Sequence, residues 1–396
     1  MDHEGHIIVD PIRNPYVPGA GRRPGALVGR DDAIRSWSIA LQRAERNITD
    51  QPLILYGLRG VGKTVLLTKL RHDAEARSWI TVQVEADPDR PLREMLGEGL
   101  YAPLTDITHP SAGKRLIKAL KTALSFKASY DASGKWDFGI DLKEFPGGGA
   151  DTGILETDLK KIMKDVALAA AEKQAGLAIL IDEAQDLNKD ESKTLAVVAQ
   201  AAAQDNWPVL FAFAGLPSLP QALAEAKSYS ERFQYIKVET LDAKAAKTAL
   251  IQPAEEAGES WDDDAVDYVV KESGRYPYFI QQFGQEAWNT ATGSTITLAD
   301  ARAGVATGHN QLDNGFFRAR WDRTTTAEKR YLRAMCPEGD TGIGTGEIAA
   351  RLQKKTNSLG PTRANLLHKG LIYAPGHGVV AFTVPGMSGF ITRQPR

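Results

Sequence analysis

A glycine-rich octamer at residues 57–64 limits what this chain can fold into more than any other feature. It reads Gly-Leu-Arg-Gly-Val-Gly-Lys-Thr and matches the phosphate-loop pattern G-x-x-x-x-G-K-[ST] at every fixed position. The apolar run over 52–56 predicts a buried strand before it, and the run over 65–70 predicts a helix after it. Backbone N–H groups and the positive end of the helix dipole then face an anion. The octamer therefore predicts a phosphate-binding site.

The residues of this loop have separate tasks. Its three glycines let the backbone approach a phosphate without a Cβ in the way. Lys63 brings a positive charge to the outer phosphates, and the hydroxyl of Thr64 is suited to Mg²⁺. The predicted cofactor contacts in the loop are Gly57, Leu58, Arg59, Gly60, Val61, Gly62, Lys63, Thr64 and Val65.

A second apolar run, over 177–181, ends in two adjacent carboxylates. Asp182 is predicted to hold Mg²⁺ through its water shell, and Glu183 to polarise the attacking water as general base. Two carboxylates after five apolar residues are costly to bury unless a cation or substrate is present. The alternative is a structural capping role for the pair.

Composition narrows the class of protein. With 396 residues and a net charge of −2, the chain can form two or three domains and has no overall attraction to nucleic acid. From residue 324 onward, however, ten Lys/Arg face four Asp/Glu, a net of +6. This basic end indicates either a local nucleic-acid contact or only a soluble surface.

The same composition predicts a cytoplasmic protein with no membrane partner. A single cysteine, Cys336, excludes an internal disulfide framework and fits a reducing compartment. The N-terminus lacks the pattern of a secretion signal, and no apolar run reaches the roughly 18 residues of a membrane span.

Periodicity divides the chain into an extended arm over 1–24, a core over 25–240, a helical lid over 241–322 and a winged-helix domain over 323–396. Alternation of strands and helices in the core predicts a parallel α/β sheet with helices on both faces. Period-two alternation over about 125–145 predicts an inserted hairpin. This hairpin either packs on the core or contacts a partner.

Two other nucleotide-using classes fit the motifs less well. Residues 188–191 read Asn-Lys-Asp-Glu, which nearly spells the guanine motif N-K-x-D, but the last position is Glu and the place in the sheet is wrong. Residues 182–185 look like a helicase box, but companion helicase motifs and a second motor domain are missing. A GTPase and a helicase are therefore disfavoured.

Together the motifs resemble the AAA+/STAND group of P-loop ATPases, and among them the bacterial and archaeal relatives of origin-recognition ATPases. The resemblance covers residues 14–396. It rests also on Leu-Val-Gly-Arg-Asp at 27–31, similar to the family's entry motif, and on Gly-Arg-Tyr-Pro at 274–277, similar to its lid motif. It implies ATP/ADP and Mg²⁺ as cofactors and the fold of a P-loop NTPase sheet of AAA+ type, a lid and a winged helix. Further nucleotide contacts that it implies are Val28, Gly29, Arg30 and Pro277.

The resemblance also raises two questions about catalysis. Many relatives carry a polar sensor at the end of the fourth strand, where this chain has Ala-Gly-Leu-Pro at 214–217, so sensing of the γ-phosphate there is in doubt. Arg232 lies where relatives carry an arginine finger, which would act on the nucleotide of a neighbouring subunit. The alternative is an ordinary salt-bridged arginine.

The C-terminal domain has two readings. Lys355, Thr362, Arg363 and Lys369 lie where they could contact DNA phosphates and base edges. Winged helices also dock on proteins or inhibit their own chain. The sequence thus predicts an ATPase switch that repositions this domain on double-stranded DNA or a nucleoprotein. The alternative is a STAND-type signalling switch that forms homo-oligomers on binding ATP and contacts a protein effector.

Overall fold

The structure, a computed structural model, describes residues 9–19, 21–107, 114–128 and 148–395. These residues form two compact units. Within the described ranges, one comprises residues 31–56 and 66–237, and the other comprises residues 9–30, 57–65 and 238–395. None of the helices in the described ranges has both the length and the apolar character that crossing a membrane requires.

The first unit is built on a five-stranded sheet. Its strands lie in the order β2-β3-β4-β1-β5, and every neighbouring pair is parallel. In chain order its elements are α1 (Asp31–Ala44), β1 (Leu53–Tyr56), α2 (Lys63–Glu75), β2 (Ile80–Glu85), α3 (Leu92–Ile107), α4 (Lys114–Ala128), α5 (Leu155–Ala171), β3 (Leu177–Asp182), α6 (Lys189–Gln204), β4 (Val209–Gly215), α7 (Leu219–Ala226) and β5 (Gln234–Lys237).

The apolar runs of the sequence become the buried centre of this sheet. Every residue of β3 and β4 is buried, as expected for central parallel strands covered by helices. Ile181 of β3 pairs with Phe213 of β4, which pairs in turn with Ile54 of β1. The carboxyl ends of β1 and β3 therefore lie at the same edge, and the chain enters the phosphate loop directly after Tyr56. The predicted parallel α/β sheet is confirmed.

The predicted hairpin over 125–145 is wrong in its first residues. Residues 125–128 belong to α4, whose side chains Ile117, Leu120, Ala123 and Phe126 are all buried. Their spacing of three is that of one helix face, which outweighs the short alternation after Phe126. Residues 129–145 lie outside the described part of the chain.

Residues 188–191, which nearly match the guanine motif N-K-x-D, lie at the start of α6. Asn188 caps this helix by accepting a hydrogen bond from the backbone N–H of Glu191 at 2.9 Å. The carboxylate of Glu191 accepts in return from the N–H of Asn188 at 3.1 Å. This reciprocal pair is a capping box, which explains the residues without a guanine base.

The second unit is mainly helical. It contains a π-helical turn over Leu312–Phe317 and two small sheets. Its elements are α8 (Ala243–Glu256), β6 (Ser260–Trp261), α9 (Asp263–Glu272), α10 (Pro277–Thr290), β7 (Thr295–Ile296), α11 (Leu298–Gln311), α12 (Arg318–Asp322), α13 (Thr326–Met335), β8 (Ile343–Gly344), α14 (Thr345–Arg351), α15 (Gly360–His368), β9 (Ile372–Gly376), β10 (Val379–Phe382) and α16 (Met387–Arg393).

The N-terminal arm packs on the helices of this unit. Tyr16 is only 1% exposed, and its hydroxyl donates to the carbonyl of Leu250 and accepts from the indole N–H of Trp261. The indole N–H of Trp288 donates to the carbonyl of Asp10 at 3.1 Å. The described part of the arm is thus fixed by specific hydrogen bonds.

The C-terminal stretch from α13 to α16, which we call the C-terminal module, has the order helix, strand, helix, helix, strand, strand, helix. Its three strands form an antiparallel sheet in the order β8-β10-β9. These elements lie within residues 323–396, for which the sequence predicts a winged helix. The sequence did not indicate strand β8 or the final helix α16, because two and seven residues are too short for a periodic signal.

Candidate nucleotide-binding site

The phosphate loop has the backbone that its glycines predict. Gly60 and Gly62 have φ values of +82° and +94°, which side chains with a Cβ rarely adopt. A Cβ on Gly57 would collide with the carbonyl oxygen of Val238. A Cβ on Gly62 would meet nothing within 4 Å, so the backbone is open to a ligand there. Glycine is thus required for shape at all three positions.

Lys63 begins α2 and is 6% exposed. Its ammonium group donates to the carbonyl oxygens of Gly57 at 2.9 Å and Leu58 at 2.8 Å. These two bonds close the loop around the lysine side chain. The first turn of α2 carries no acidic residue, so no carboxylate of that turn competes with a phosphate for this helix end.

The entry motif is tied to the loop by Arg30. Its guanidinium donates to the carbonyl of Val61 at 2.9 Å and to that of Glu239 at 2.7 Å. Burial lowers the pKa of Arg30. Gly29, with φ of +66°, packs so closely on α8 that an added Cβ would lie 3.1 Å from that of Ala245. The entry motif, whose residues 28–30 are predicted nucleotide contacts, therefore joins the loop to α8 and to Glu239 within the second unit.

The predicted lid motif, residues 274–277, also contacts the phosphate loop. Tyr276 is 1% exposed, and its hydroxyl would lie 2.6 Å from a Cβ placed on Gly60. Pro277 follows as the first residue of α10, a position suited to its missing N–H. Tyr276, which the sequence did not single out, thus contacts the loop, next to the predicted Pro277.

The C-terminal module also contacts the loop. The backbone N–H of Arg59 donates to the carbonyl of Thr383 at 3.1 Å. The guanidinium of Arg59 lies against Gly370, where an added Cβ would be 2.7 Å from a terminal nitrogen. The hydroxyl of Thr383 donates to the carbonyl of Gly370 at 2.8 Å, so the two contacts share one local structure. The phosphate loop and the module are therefore directly bonded.

The carboxylate pair ends β3 as predicted. Asp182 is 6% exposed, and its carboxylate accepts the N–H of Glu183 at 2.9 Å. Glu183 has φ of +47°, in the left-handed region that a residue with a long side chain seldom adopts. Backbone strain of this kind collects at functional sites, because the surroundings must enforce it.

Gln185 is a member of this carboxylate edge that the sequence did not indicate. Its amide N–H donates to the carboxylate of Glu183 at 2.7 Å, and its carbonyl accepts the N–H of Leu216 at 2.8 Å. Gln185 therefore lies against the end of β4, where the sequence lacks a polar sensor. A polar group at this place comes from the neighbouring loop instead of from the strand.

Each unit carries groups that fit a part of a nucleotide with Mg²⁺. The loop offers backbone donors and a buried ammonium group to phosphates, and the buried Asp182 is an oxygen ligand of the kind Mg²⁺ prefers. The described ranges contain no cluster of three or more His, Cys, Asp or Glu that would hold a metal alone. A magnesium ion held by one carboxylate and by phosphate oxygens does not need such a cluster.

Comparison with protein families agrees with this geometry. Residues 26–212 match the model of the AAA ATPase domain. This part of the chain is an AAA+ P-loop ATPase domain. A second model, a domain of unknown function (DUF8462), matches residues 314–391. No curated protein matches the chain.

Solved structures place the ATPase domain in the same fold. The Walker-type ATPase PABY2304 of Pyrococcus abyssi is 16% identical, with a TM-score of 0.57 over 93% of this chain and 97% of that one. The RuvB Holliday junction branch migration motor of Thermotoga maritima is 14% identical, with a TM-score of 0.46 over 94% of this chain and 99% of that one. The Aeropyrum pernix ORC1 protein in complex with DNA is 15% identical, with a TM-score of 0.46 over 97% and 96%. The first of these likenesses shows the fold.

Arg232, beyond the matched residues 26–212, lies at the end of a short 3-10 helix, Ser228–Arg232. Its side chain is exposed, and among the described residues it forms no ion pair. The structure thus gives no support to the salt-bridged alternative, and the finger role stays a prediction.

The four predicted DNA contacts beyond the ATPase domain differ in their surroundings. Lys355 is exposed, whereas Thr362 and Arg363 are half-buried on α15. Lys369 forms an ion pair with the buried carboxylate of Glu328 at 2.7 Å and donates to the carbonyl of Arg323 at 2.9 Å. Its ammonium group therefore stabilises the module.

Proposed function

We propose that the protein is an ATP-binding switch that hydrolyses ATP slowly and whose nucleotide state controls the C-terminal module. The bond between Arg59 of the phosphate loop and Thr383 of the module carries this proposal. A module bonded to the loop backbone must respond when a ligand changes that backbone. The AAA ATPase match supports the nucleotide as the ligand.

The binding step uses residues of the loop and of the sheet edge. Backbone N–H groups of residues 60–65 and the ammonium of Lys63 hold the phosphates, while Val28, Gly29, Arg30 and Pro277 enclose the base and sugar. Thr64 of the loop and Asp182 at the end of β3 are the residues that would hold Mg²⁺, which when bound would neutralise phosphate charge. These roles follow the family pattern residue by residue.

The hydrolytic step belongs to Glu183. Its carboxylate accepts a proton from the attacking water, while Gln185 holds the carboxylate by a hydrogen bond of 2.7 Å. Arg232, which is exposed, would stabilise the transferring phosphate of a neighbouring copy. Mixing an Arg232→Ala variant with a Glu183→Gln variant tests this. Partial recovery of ATPase activity supports action across copies, and no recovery contradicts it.

The switching step follows from linkage. If ATP binds better to one arrangement of the loop and module than to another, it shifts the population toward that arrangement. The order of elements in the module and its antiparallel sheet support a winged helix. We propose the division into arm, core, lid and winged helix at residues 24, 240 and 322.

DNA is the partner that we propose for the module. Exposed side chains before and on α15, among them Lys355, Asn365 and His368, form a polar surface beside the half-buried Arg363. Residues of this kind contact phosphates and base edges. One observation favours the second candidate, a STAND-type switch with a protein effector. The ion pair of Lys369 with Glu328 leaves the module with fewer available positive charges than its composition indicates.

A mobility-shift titration with labelled duplex DNA separates the two candidates. Binding that weakens with salt and is lost in Arg363→Glu, but kept in the matched control Arg330→Glu on α13, supports DNA. No binding at low salt, together with ATP-dependent assembly, supports the protein effector. Equal losses in both variants would contradict a specific role of α15.

A further inference from the structure

Gln185 joins the proposed general base to the end of strand β4. Its amide N–H donates to Oε2 of Glu183 at 2.7 Å, and its carbonyl oxygen accepts the backbone N–H of Leu216 at 2.8 Å. The register of the sheet explains this meeting, because Ile181 of β3 pairs with Phe213 of β4 shortly before the chain leaves both strands. One side chain therefore contacts both of the segments that leave this edge of the sheet.

The amide of Gln185 packs directly against the backbone of β4. A Cβ on Gly215 would lie only 2.7 Å from Oε1 of Gln185, so no side chain fits between the amide and the strand. Residues 214–217, Ala-Gly-Leu-Pro, contain no polar side chain. The polar group that β4 presents to Gln185 is therefore the backbone N–H of Leu216.

The two hydrogen bonds determine which end of the amide faces Glu183. A backbone N–H can only donate, and an ionised carboxylate can only accept. The carbonyl oxygen of Gln185 must then face Leu216, and its NH₂ group must face Glu183. A carboxylate at position 185 could still accept from Leu216, but when ionised it could not donate to Glu183. The bond to Glu183 thus depends on the amide, whereas the bond to Leu216 does not.

The backbone of Glu183 leaves its side chain little freedom apart from rotation about its own bonds. Its φ of +47° is in the left-handed region, and a 3-10 helix over Ala184–Asp186 follows directly. Ala184 is 1% exposed, so this turn is packed in the interior. The bond from Gln185 restricts the rotation that remains to the Glu183 side chain.

We propose that Gln185 is the positioning residue of the hydrolytic step. Its NH₂ group holds the Glu183 carboxylate in the orientation that accepts a proton from the attacking water, and the Leu216 N–H fixes the direction of the amide. The inference rests on the proposed function, in which Glu183 is the base. A general base must lie within about 2.6–3.2 Å of the group that it deprotonates, and a displacement of about 1 Å can lower a rate about 100-fold.

Gln185→Glu tests the proposal through the kcat and KM of the full chain for ATP, measured with Mg²⁺ from about pH 6 to about pH 9. At the alkaline end, two ionised carboxylates repel each other. There kcat should fall about ten-fold or more, with KM changed less than about two-fold. At the acid end the two carboxylates share one proton, which restores a hydrogen bond between them, so most of the loss should be recovered.

The matched control is Gln221→Glu on α7. Gln221 is exposed, and its amide N–H donates to the Glu225 carboxylate at 2.8 Å, so the control makes the same exchange beside another carboxylate. Its kcat should equal that of the wild-type chain at every pH. A Gln185→Glu variant with wild-type kcat at the alkaline end, or with the same loss at every pH, would overturn the proposal. Either result is expected if the amide is only structural.

Gln185→Leu is a second variant, which removes both hydrogen bonds. It leaves the Leu216 N–H without its acceptor, so the melting temperature should fall. Its kcat should fall about ten-fold or more at every pH, because no proton can restore the bond, and its KM should stay within about two-fold of the wild-type value. An unchanged kcat would overturn the proposal. A higher kcat would also overturn it, because the amide would then restrain the base.

The wild-type chain distinguishes failure of this inference from failure of the proposed function. A wild-type chain that releases no phosphate from ATP would overturn the proposed function, and the role of Gln185 with it. Wild-type turnover that is lost in Glu183→Gln but unchanged in both Gln185 variants would support the base and overturn only the positioning role.

Discussion

The phosphate loop and the carboxylate edge of the sheet are stabilised in different ways. The carboxylates of Asp182 and Glu183 are positioned by neighbours in the chain, through the N–H of Glu183 and the amide of Gln185. The loop is positioned by residues far away in the sequence, including Arg30, Tyr276 and Thr383.

This difference indicates that the loop and the carboxylate edge have separate roles. The carboxylate edge is held within its own unit, by its strand and turn and by Gln185, whose carbonyl accepts the N–H of Leu216 at the end of β4. The loop, by contrast, is bonded to the entry motif and to the C-terminal module, and Tyr276 packs against it. Under the proposed function, regulation would therefore act on nucleotide binding at the loop.

Glu183→Gln changes the carboxylate edge of the sheet and has the largest expected effect on ATP turnover. An amide cannot accept a proton from water, so ATP turnover should fall about 10²–10⁴-fold while ATP affinity is kept. Phosphate release and calorimetry measure the two quantities. Asp190→Asn, exposed on α6, is the control and should leave turnover unchanged. Normal phosphate release in Glu183→Gln would remove Glu183 from the mechanism.

Lys63→Ala changes the phosphate loop, which residues distant in the sequence hold in place. Loss of the ammonium group removes charge-assisted bonds to the phosphates, so ATP affinity should fall about 100-fold or more. Lys69→Ala, on the same helix and paired with Asp73, should bind ATP normally. Unchanged calorimetric affinity of Lys63→Ala would refute the assignment of the loop.

Lys369→Met tests whether the module depends on its own buried ion pair. Burial alone would raise the pKa of Glu328, but the Lys369 ammonium and the Thr325 N–H outweigh it and keep the pKa below its usual 4.5. The pair therefore stabilises the fold above pH 4.5 and loses this effect as the pH falls through the lower folded-state pKa.

The variant should lose about 1–3 kcal/mol of unfolding free energy at pH 7, and less in acid. Denaturant unfolding at several pH values measures this difference. Lys355→Met, exposed in the same module, should cost little. Equal stability of the Lys369 variant at pH 7 would show that the ion pair is not structural.

Gly370→Ala gives the smallest effect and addresses the contact between loop and module. Its Cβ would press on the Arg59 guanidinium, so the amide of Arg59 should exchange with solvent several-fold faster. Gly378→Ala is a matched control, because Gly378 also has a positive φ, of +71°, but lies away from Arg59. Equal exchange in the two variants would mean that the contact does not hold the loop.

Sequence patterns predicted most of what depends on neighbouring residues. The phosphate loop, the apolar strands and the lid helices follow from short-range spacing, because burial and backbone shape act locally there. The alternation after Phe126 misled the prediction, since two alternating residues also fit the end of α4. The Asn-x-x-Glu spacing of the capping box at Asn188 was a signal that could have been used.

Contacts between distant residues were not predictable in the same way. Nothing near Tyr276 or Thr383 in the sequence indicates that they meet the loop, because tertiary folding alone brings them together. Gln185 was only two residues from Glu183, but its bond to the end of β4 depends on the order of the strands. The residues that were missed are thus the ones by which the fold controls the site.

Amide exchange of Arg59 in the unmodified chain, measured during a titration with ATP and Mg²⁺, tests the central claim most directly. We expect saturable binding and, in parallel with it, a changed exchange rate at Arg59, because the nucleotide alters the loop that Thr383 holds. An exchange rate that stays constant through saturation, or a chain that binds no ATP, would contradict the account.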